Sequence, residues 1–183
     1  MKKIIFLDFD GVLNSELYYK SNRYSEHSKK QKKQLNKNYT FGDIQKLPQL
    51  TIKQKLLLYK FDIDPLAIEY LNNLIKDTNA EIVVSSTWRN KGKELLQQIL
   101  ELRGFKGKII GVTPHGCDCC VRGNEIRKWL QINKLEHKCK YVIFDDDSDM
   151  LFWQRENFIL IDGYVGLTPS NVYKAKRILN AEV

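Results

Sequence analysis

Five short apolar runs, at 3–7, 81–85, 108–112, 141–144 and 158–161, punctuate the chain, each rich in Ile, Val or Phe and bounded by polar residues or glycine. Runs of this length predict strands. Between them the apolar spacing becomes helical: Asp64-Pro65 predicts a capped start, after which Ile68, Leu71, Leu74 and Ile75 share one face. Leu95, Leu96, Ile99 and Leu100 form a second face, with Gly104 as its stop. Ile126, Trp129 and Leu130 form a third after Gly123-Asn124, and Thr168-Pro169 opens a fourth that presents Val172, Ile178 and Leu179. This β-α alternation predicts an α/β, Rossmann-like fold: a five-stranded, mostly parallel sheet with helices on both faces.

One stretch breaks the alternation. From Asn14 to about Asp62 the chain is polar, basic and tyrosine-rich, with Tyr18, Tyr19, Tyr24, Tyr39 and Tyr59. At 183 residues the expectation is a single domain over 1–183, with 15–62 as a cap-like insertion that is partly helical near 51–61. The net charge of +8 is concentrated there, because residues 20–60 hold eleven Lys or Arg against Glu26 and Asp43 alone. A run such as Ser28-Lys29-Lys30-Gln31-Lys32-Lys33 is either a polyanion-binding surface, nucleic acid included, or a solvated loop. No window approaches the ~18 apolar residues of a membrane span, and Asp8 and Asp10 interrupt any leader-like core, so a cytoplasmic, non-membrane protein is expected.

The candidate chemistry lies where the strands end. Asp8-Phe9-Asp10-Gly11-Val12 follows the first run, and carboxylates two residues apart reach one side if the extended geometry persists. An acidic pair of this kind can also be only a turn or a helix cap. Gly11 favours a site, since glycine allows a tight turn with close backbone approach to a ligand. The fourth run repeats the pattern with Asp145-Asp146-Asp147-Ser148-Asp149. Carboxylates crowded at one edge repel one another, so a hard cation such as Mg2+ is their natural partner. Ser85 and Ser86 end the second run and complete a set of polar groups at one sheet edge.

Cysteine adds little. Cys117, Cys119 and Cys120 cluster beside His115, with Cys139 further on. A zinc site built from His115 and these thiols lacks the usual C-x2-C spacing, so free thiols on a loop are the preferred expectation. His27, His115 and His137 show no partner in the sequence.

Taken in order, Asp8-x-Asp10-Gly11-Val12, Ser85-Ser86, a basic residue before the fourth run and Asp145-Asp146 after it resemble the haloacid dehalogenase (HAD) superfamily of phosphohydrolases. More narrowly, Ser85-Ser86-Thr87-Trp88-Arg89, Arg122-Gly123-Asn124-Glu125-Ile126-Arg127-Lys128-Trp129-Leu130 and Gly166-Leu167-Thr168 resemble the HAD domains associated with RNA repair proteins.

The resemblance implies a role for each matched position. Asp8 is the expected nucleophile, forming an aspartyl-phosphate, and Asp10 the general acid and then base. Ser86, with Ser85 as its rival, is expected to bind phosphate. Arg122, 23 residues before Asp145, would supply the neutralising cation, where the family more often has lysine; Lys128 and Arg127 stay open for that role. Asp145 and Asp146 are expected to hold Mg2+ with Asp8 and the backbone carbonyl of Asp10, and Asp149 to stand behind them or serve as a downstream acid. Gly11, Thr87 and Arg89 are expected near the substrate, with Trp88 either flanking it or simply packed.

The expected activity is hydrolysis of a phosphate monoester. The basic insertion and the narrower resemblance point to terminal phosphates of nucleic acids or nucleotides, with lysines following the backbone and tyrosines stacking on bases. Three alternatives stay open at this point: a phosphatase for small metabolites with the insertion as a lid, a phosphotransferase sharing the aspartyl-phosphate, and a non-catalytic nucleic-acid-binding module on the same scaffold. Dehalogenation is disfavoured, because carbon–halogen chemistry has no need of the acidic surplus after the fourth strand.

Overall fold

The computed structural model describes residues 1–34, 56, 59–115 and 121–181, with the side chains at 27 and 30–34 excepted. Five strands form one sheet: β1 Lys2–Leu7, β2 Glu81–Val84, β3 Ile109–Val112, β4 Cys139–Asp145 and β5 Phe158–Leu160. All four pairings are parallel, in the order β3-β2-β1-β4-β5. The helices are α1 Glu16–Tyr19, α2 Asn22–Gln34, α3 Pro65–Thr78, α4 Lys93–Glu101, α5 Arg122–Ile132 and α6 Pro169–Asn180. None is long and apolar enough to cross a membrane.

The central strand is buried on both faces because its side chains alternate between two cores. Ile5 and Leu7 point into the larger core, with Ile68, Leu71 and Leu74 of α3, Leu96 and Ile99 of α4, and Ala175 and Leu179 of α6. Ile4 and Phe6 point into the smaller one, with Ile126, Trp129 and Leu130 of α5. The Phe6 ring meets Trp129 and Tyr141 edge-on, at centroid distances of 5.6 and 5.7 Å.

Local signals set the helix starts. Asp64 Oδ1 accepts the Leu66 N–H at 3.0 Å ahead of Pro65, and Thr168 caps α6 ahead of Pro169. α5 departs from expectation by beginning at Arg122, before Gly123-Asn124. The reason is a cap from a distant part of the chain: Asp149 Oδ2 accepts the Arg122 N–H at 2.8 Å and Asp149 O accepts the Gly123 N–H at 3.2 Å. β4 is also longer than its apolar run, since pairing with β1 already begins at Lys2 and Cys139.

The lysine run at 28–33, expected as a loop or a binding surface, falls within α2. Residues 35–55 of the expected insertion, most of the helix expected near 51–61, and Cys117, Cys119 and Cys120 lie outside the described residues. Cys139 is not on a loop. It opens β4, where its Sγ donates to Leu135 O at 3.3 Å and burial pushes the thiol pKa up. His115 follows the carboxyl end of β3, so it and Cys139 stand at opposite edges of the sheet and do not combine in a zinc site.

Candidate active site

Strand register assembles the site. Leu7 is level with Val84 on one side and Phe144 on the other, so the residues that follow, Asp8, Ser85 and Asp145, emerge side by side at the carboxyl edge. The ladder continues through them: Asp8 N–H donates to Phe144 O and Ser85 N–H to Leu7 O. Chain order reverses at β1, which runs outward through β2 to β3 on one side and through β4 to β5 on the other. In open α/β sheets the crevice at that reversal is where ligands bind.

Ligand oxygens of Asp8, Asp145 and Asp146 all lie within 4.8 Å of one another. Asp8 is 5% exposed and Asp145 fully buried, whereas Asp146 is open to solvent. Asp146 reaches the other two because Gly11 and Gly163 leave room for it. A Cβ on Gly11, whose φ is +71°, would run into the Asp146 carboxylate, and one on Gly163 would come within 2.7 Å of its Oδ2.

Burial is the largest cause raising the pKa of each of the three acids. Burial pushes Asp8 up to about 6 against the hydrogen bond from Ser86 and the attraction of Arg122. Burial and then the Asp8 charge push Asp145 up to about 7, and burial raises Asp146 as well. Asp145 Oδ2 is buried and, among the described residues, has no hydrogen-bond partner, with the Arg122 guanidinium beside it as an ion pair. A carboxylate oxygen left without a hydrogen bond beside two more carboxylates is a donor set suited to a hard divalent cation.

Arg122 supplies the fixed positive charge. Its Nε lies 3.3 Å from Asp145 Oδ2 and its Nη2 3.9 Å from Asp8 Oδ1, while Nη1 donates to Ser85 O at 2.5 Å. Asp149 therefore holds the helix turn that carries this guanidinium. Arg127, by contrast, pairs with Glu136 at 3.6 Å, and Lys128 is exposed. Ser86 hydrogen-bonds Asp8 while its Oγ accepts the Trp88 N–H at 3.3 Å, so one hydroxyl serves both the site and the turn Thr87–Lys91. The Ser85 hydroxyl is buried without a partner.

Asp10 occupies a different setting. Its carboxylate is not part of the converging trio; it accepts from Asn14 Nδ2 at 2.8 Å and from Trp88 Nε1 at 3.0 and 3.1 Å, with Thr87 Oγ1 at 3.4 Å. Asn14 also binds the Gly11 N–H, through its own carbonyl at 2.9 Å and Oδ1 at 3.1 Å, which closes the loop after β1. The Trp88 ring packs on Phe9 at 5.3 Å. Neither anchor was expected from sequence. Asn14 sits at the start of what reads as an insertion, and Trp88 reads as packing; only the backbone turn at Gly11 brings them onto Asp10.

Arg89, expected near the substrate, lines the cleft beside the acids and pairs with α5. Its Nη1 and Nη2 donate to the two Glu125 oxygens at 2.8 and 2.7 Å, and both side chains are only 9% exposed. Its Nε donates to His115 Nδ1 at 3.3 Å, so His115 does have a partner. The Arg89–Glu125 pair ties the turn after β2 to α5, and with Thr87, His115, Arg122, Asp147 and Asp149 it lines an open cleft of about 410 Å³ beside the acids.

The arrangement is an acidic trio able to hold a metal, two of its carboxylates buried, a guanidinium beside them, and a separately anchored fourth acid. A structural relative is a haloacid dehalogenase-like hydrolase from Streptococcus pneumoniae, with 16% identity, a TM-score of 0.45, and 96% of this chain and 90% of that one covered. No curated protein matches by sequence. The family model described as the HAD domain in Swiss Army Knife RNA repair proteins matches residues 4–172, nearly the whole chain. With its motif residues gathered at one sheet edge, the chain belongs to this family of haloacid dehalogenase domains.

Proposed function

We propose that the protein is a Mg2+-dependent phosphomonoesterase that works through an aspartyl-phosphate on Asp8. The observation that carries this reading is the asymmetry of the two acids after β1: Asp8 converges with Asp145, Asp146 and Arg122, while Asp10 is held apart by Asn14 and Trp88. Asp8, Asp145 and Asp146 would hold the ion. When bound it would hold the three carboxylates ionised and offset the charge of an incoming phosphate.

The residues then divide the work. A carboxylate oxygen of Asp8 attacks phosphorus, forming the Asp8–phosphorus bond as the bond to the leaving oxygen breaks. Asp10 gives its proton to that oxygen, and in the second half takes one from the water that cleaves the acyl phosphate. Arg122 neutralises charge on the phosphoryl oxygens, and the Ser86 hydroxyl donates to one of them. Trp88 Nε1 and Asn14 Nδ2 aim Asp10 throughout.

For the substrate, membership of a family found in RNA repair proteins favours a phosphorylated RNA end, and the basic composition of residues 20–60 agrees with a polyanionic ligand. The test is phosphate release from 3′- and 5′-phosphorylated oligonucleotides, mononucleotides and sugar phosphates, with Mg2+ or with EDTA. Turnover is expected with Mg2+ on nucleic-acid ends; turnover confined to sugar phosphates would move the substrate to small metabolites, and none anywhere would overturn the enzymatic reading.

A further inference from the structure

Lys91 has no part in the chemistry described above, yet it is the cation on the Asp10 side of the site. It ends the turn Thr87–Lys91. Its Nζ lies 4.4 Å from the centroid of the Trp88 ring and 4.5 Å from that of Tyr59, and these two rings meet at 5.6 Å. Two aromatic faces thus hold one ammonium in place. Asp10 and Asp62 attract it from a distance, but no described carboxylate comes within ion-pair range, and desolvation lowers its pKa. A half-buried ammonium without a paired anion is a costly arrangement that an incoming anion relieves.

Its position says which part of a substrate would bring that anion. The transferred phosphoryl group faces Asp8 and Arg122. The leaving oxygen faces Asp10, whose carboxylate accepts from Trp88 Nε1, and Lys91 sits on the face of that same indole. A group attached to the leaving oxygen on this side would lie near Lys91, which is close enough for Asp10 to attract it.

We infer that Lys91, clamped by Tyr59 and Trp88, is a specificity-determining residue that binds a second phosphate carried by the leaving alcohol. The inference rests on the phosphatase reading for the direction of the leaving group. Two sources share this chemistry: the next phosphodiester of a nucleic-acid strand, and the second monoester of a nucleoside bisphosphate. Lysine suits the task as a point charge that follows a phosphate without a fixed fork.

The experiment measures binding to the Asp8→Asn protein in the presence of Mg2+. The probes are nucleoside 3′- and 5′-monophosphates, a nucleoside 3′,5′-bisphosphate, and dinucleotides phosphorylated at either end. A probe with a second phosphate is expected to bind roughly tenfold tighter than its monophosphate, as one charge-assisted contact allows. Lys91→Met, which keeps the stem on the rings, is expected to abolish that ratio, and Lys91→Arg to keep it. An advantage for dinucleotides alone identifies the phosphodiester as the source; an equal advantage for the bisphosphate identifies any second phosphate.

If the ratio survives in Lys91→Met, or if the unaltered lysine confers no ratio, the inference is overturned. A purely structural lysine would weaken all probes in parallel and leave the ratio unchanged, which also overturns it. Phosphate release by the protein with Asp8 intact is read separately: its absence sinks the phosphatase reading, while the binding ratio stands or falls by itself.

Discussion

The two walls of the site are built in different ways. The wall of Asp8, Asp145, Ser86 and Arg122 grows from strand ends in register and from one helix start, and its side chains are almost dry. The wall of Asp10, Asn14, Trp88, Tyr59 and Lys91 grows from the loop after β1, a helical residue at 59 and a 3-10 turn, with Asp10 exposed, Tyr59 and Lys91 half-buried, and Asn14 and Trp88 buried. A rigid, desolvated wall suits charge stabilisation that must be the same for every substrate. A turn-built wall can change its side chains without disturbing the sheet, and it faces the part of a substrate that varies.

The contrast breaks most visibly at the two acids. Asp8→Asn is expected to lower turnover at least about a thousandfold for every phosphate ester, because no other group forms the covalent intermediate. Asp10→Asn is expected to slow release of the leaving group in the first turnover by about a hundredfold or more with an alkyl alcohol and far less with p-nitrophenol, which needs no proton to depart. Rapid-mixing rates of leaving-group release in the first turnover read the difference, and equal losses on both ester types would remove Asp10 from the leaving side.

Arg122→Ala tests whether the first wall is also a stability element. Asp8 and Asp145 would lose their cation, and unfolding at neutral pH without metal is expected to show a loss of about 2–3 kcal/mol. The loss is expected to shrink in acid, where both carboxyls are protonated. An unchanged denaturation midpoint would place the guanidinium in the chemistry alone.

A smaller effect follows from pH. Asp8, at about 6, and Asp145, at about 7, lie above the ordinary 3.8 in the folded protein, so the folded state binds more protons than the unfolded chain between these values. Their contribution to stability is complete below about pH 4 and is lost as pH rises through 6 and 7. Mg2+ must displace those same protons, so the rise in melting temperature on adding it is expected to grow from pH 5 to pH 8. A metal-induced shift independent of pH would contradict the trio as the ligand set.

The smallest expected effect lies on the second wall. Trp88→Phe removes the Nε1 donor but keeps an aromatic ring against Phe9 and Tyr59. Activity on alkyl esters is expected to fall roughly threefold to tenfold, as for one lost hydrogen bond, with p-nitrophenyl phosphate less affected. Equal losses on both would make Trp88 a packing residue.

The first wall was far more legible in the sequence than the second. Asp8, Ser86 and Asp145 follow apolar runs, and a parallel sheet brings the carboxyl ends of its strands to one edge, so their meeting follows from alternation alone. Arg122 was readable only through the family resemblance, which left Arg127 and Lys128 open beside it, and its helix was expected to begin later, because the Asp149 cap comes from 27 residues away. Asn14, Trp88 and Lys91 left no periodic signal. Their roles depend on the φ of Gly11 and on a 3-10 turn that brings residues 77 and 78 positions away onto Asp10. Arg89 was named for its place beside Ser86, but nothing in the sequence signals that a buried Glu125 one helix turn after Arg122 holds its guanidinium.

The most direct test of the account is to look for a phosphoryl group on Asp8. The Asp10→Asn protein, incubated with Mg2+ and p-nitrophenyl phosphate, quenched in acid and digested, is expected to carry a phosphoryl adduct on the peptide containing Asp8, since the leaving group departs unaided while hydrolysis of the acyl phosphate lacks its base. A rapid release of p-nitrophenol equal to the enzyme present would accompany it. Steady phosphate release from the Asp8→Asn protein, or an adduct on any other residue, would contradict the account.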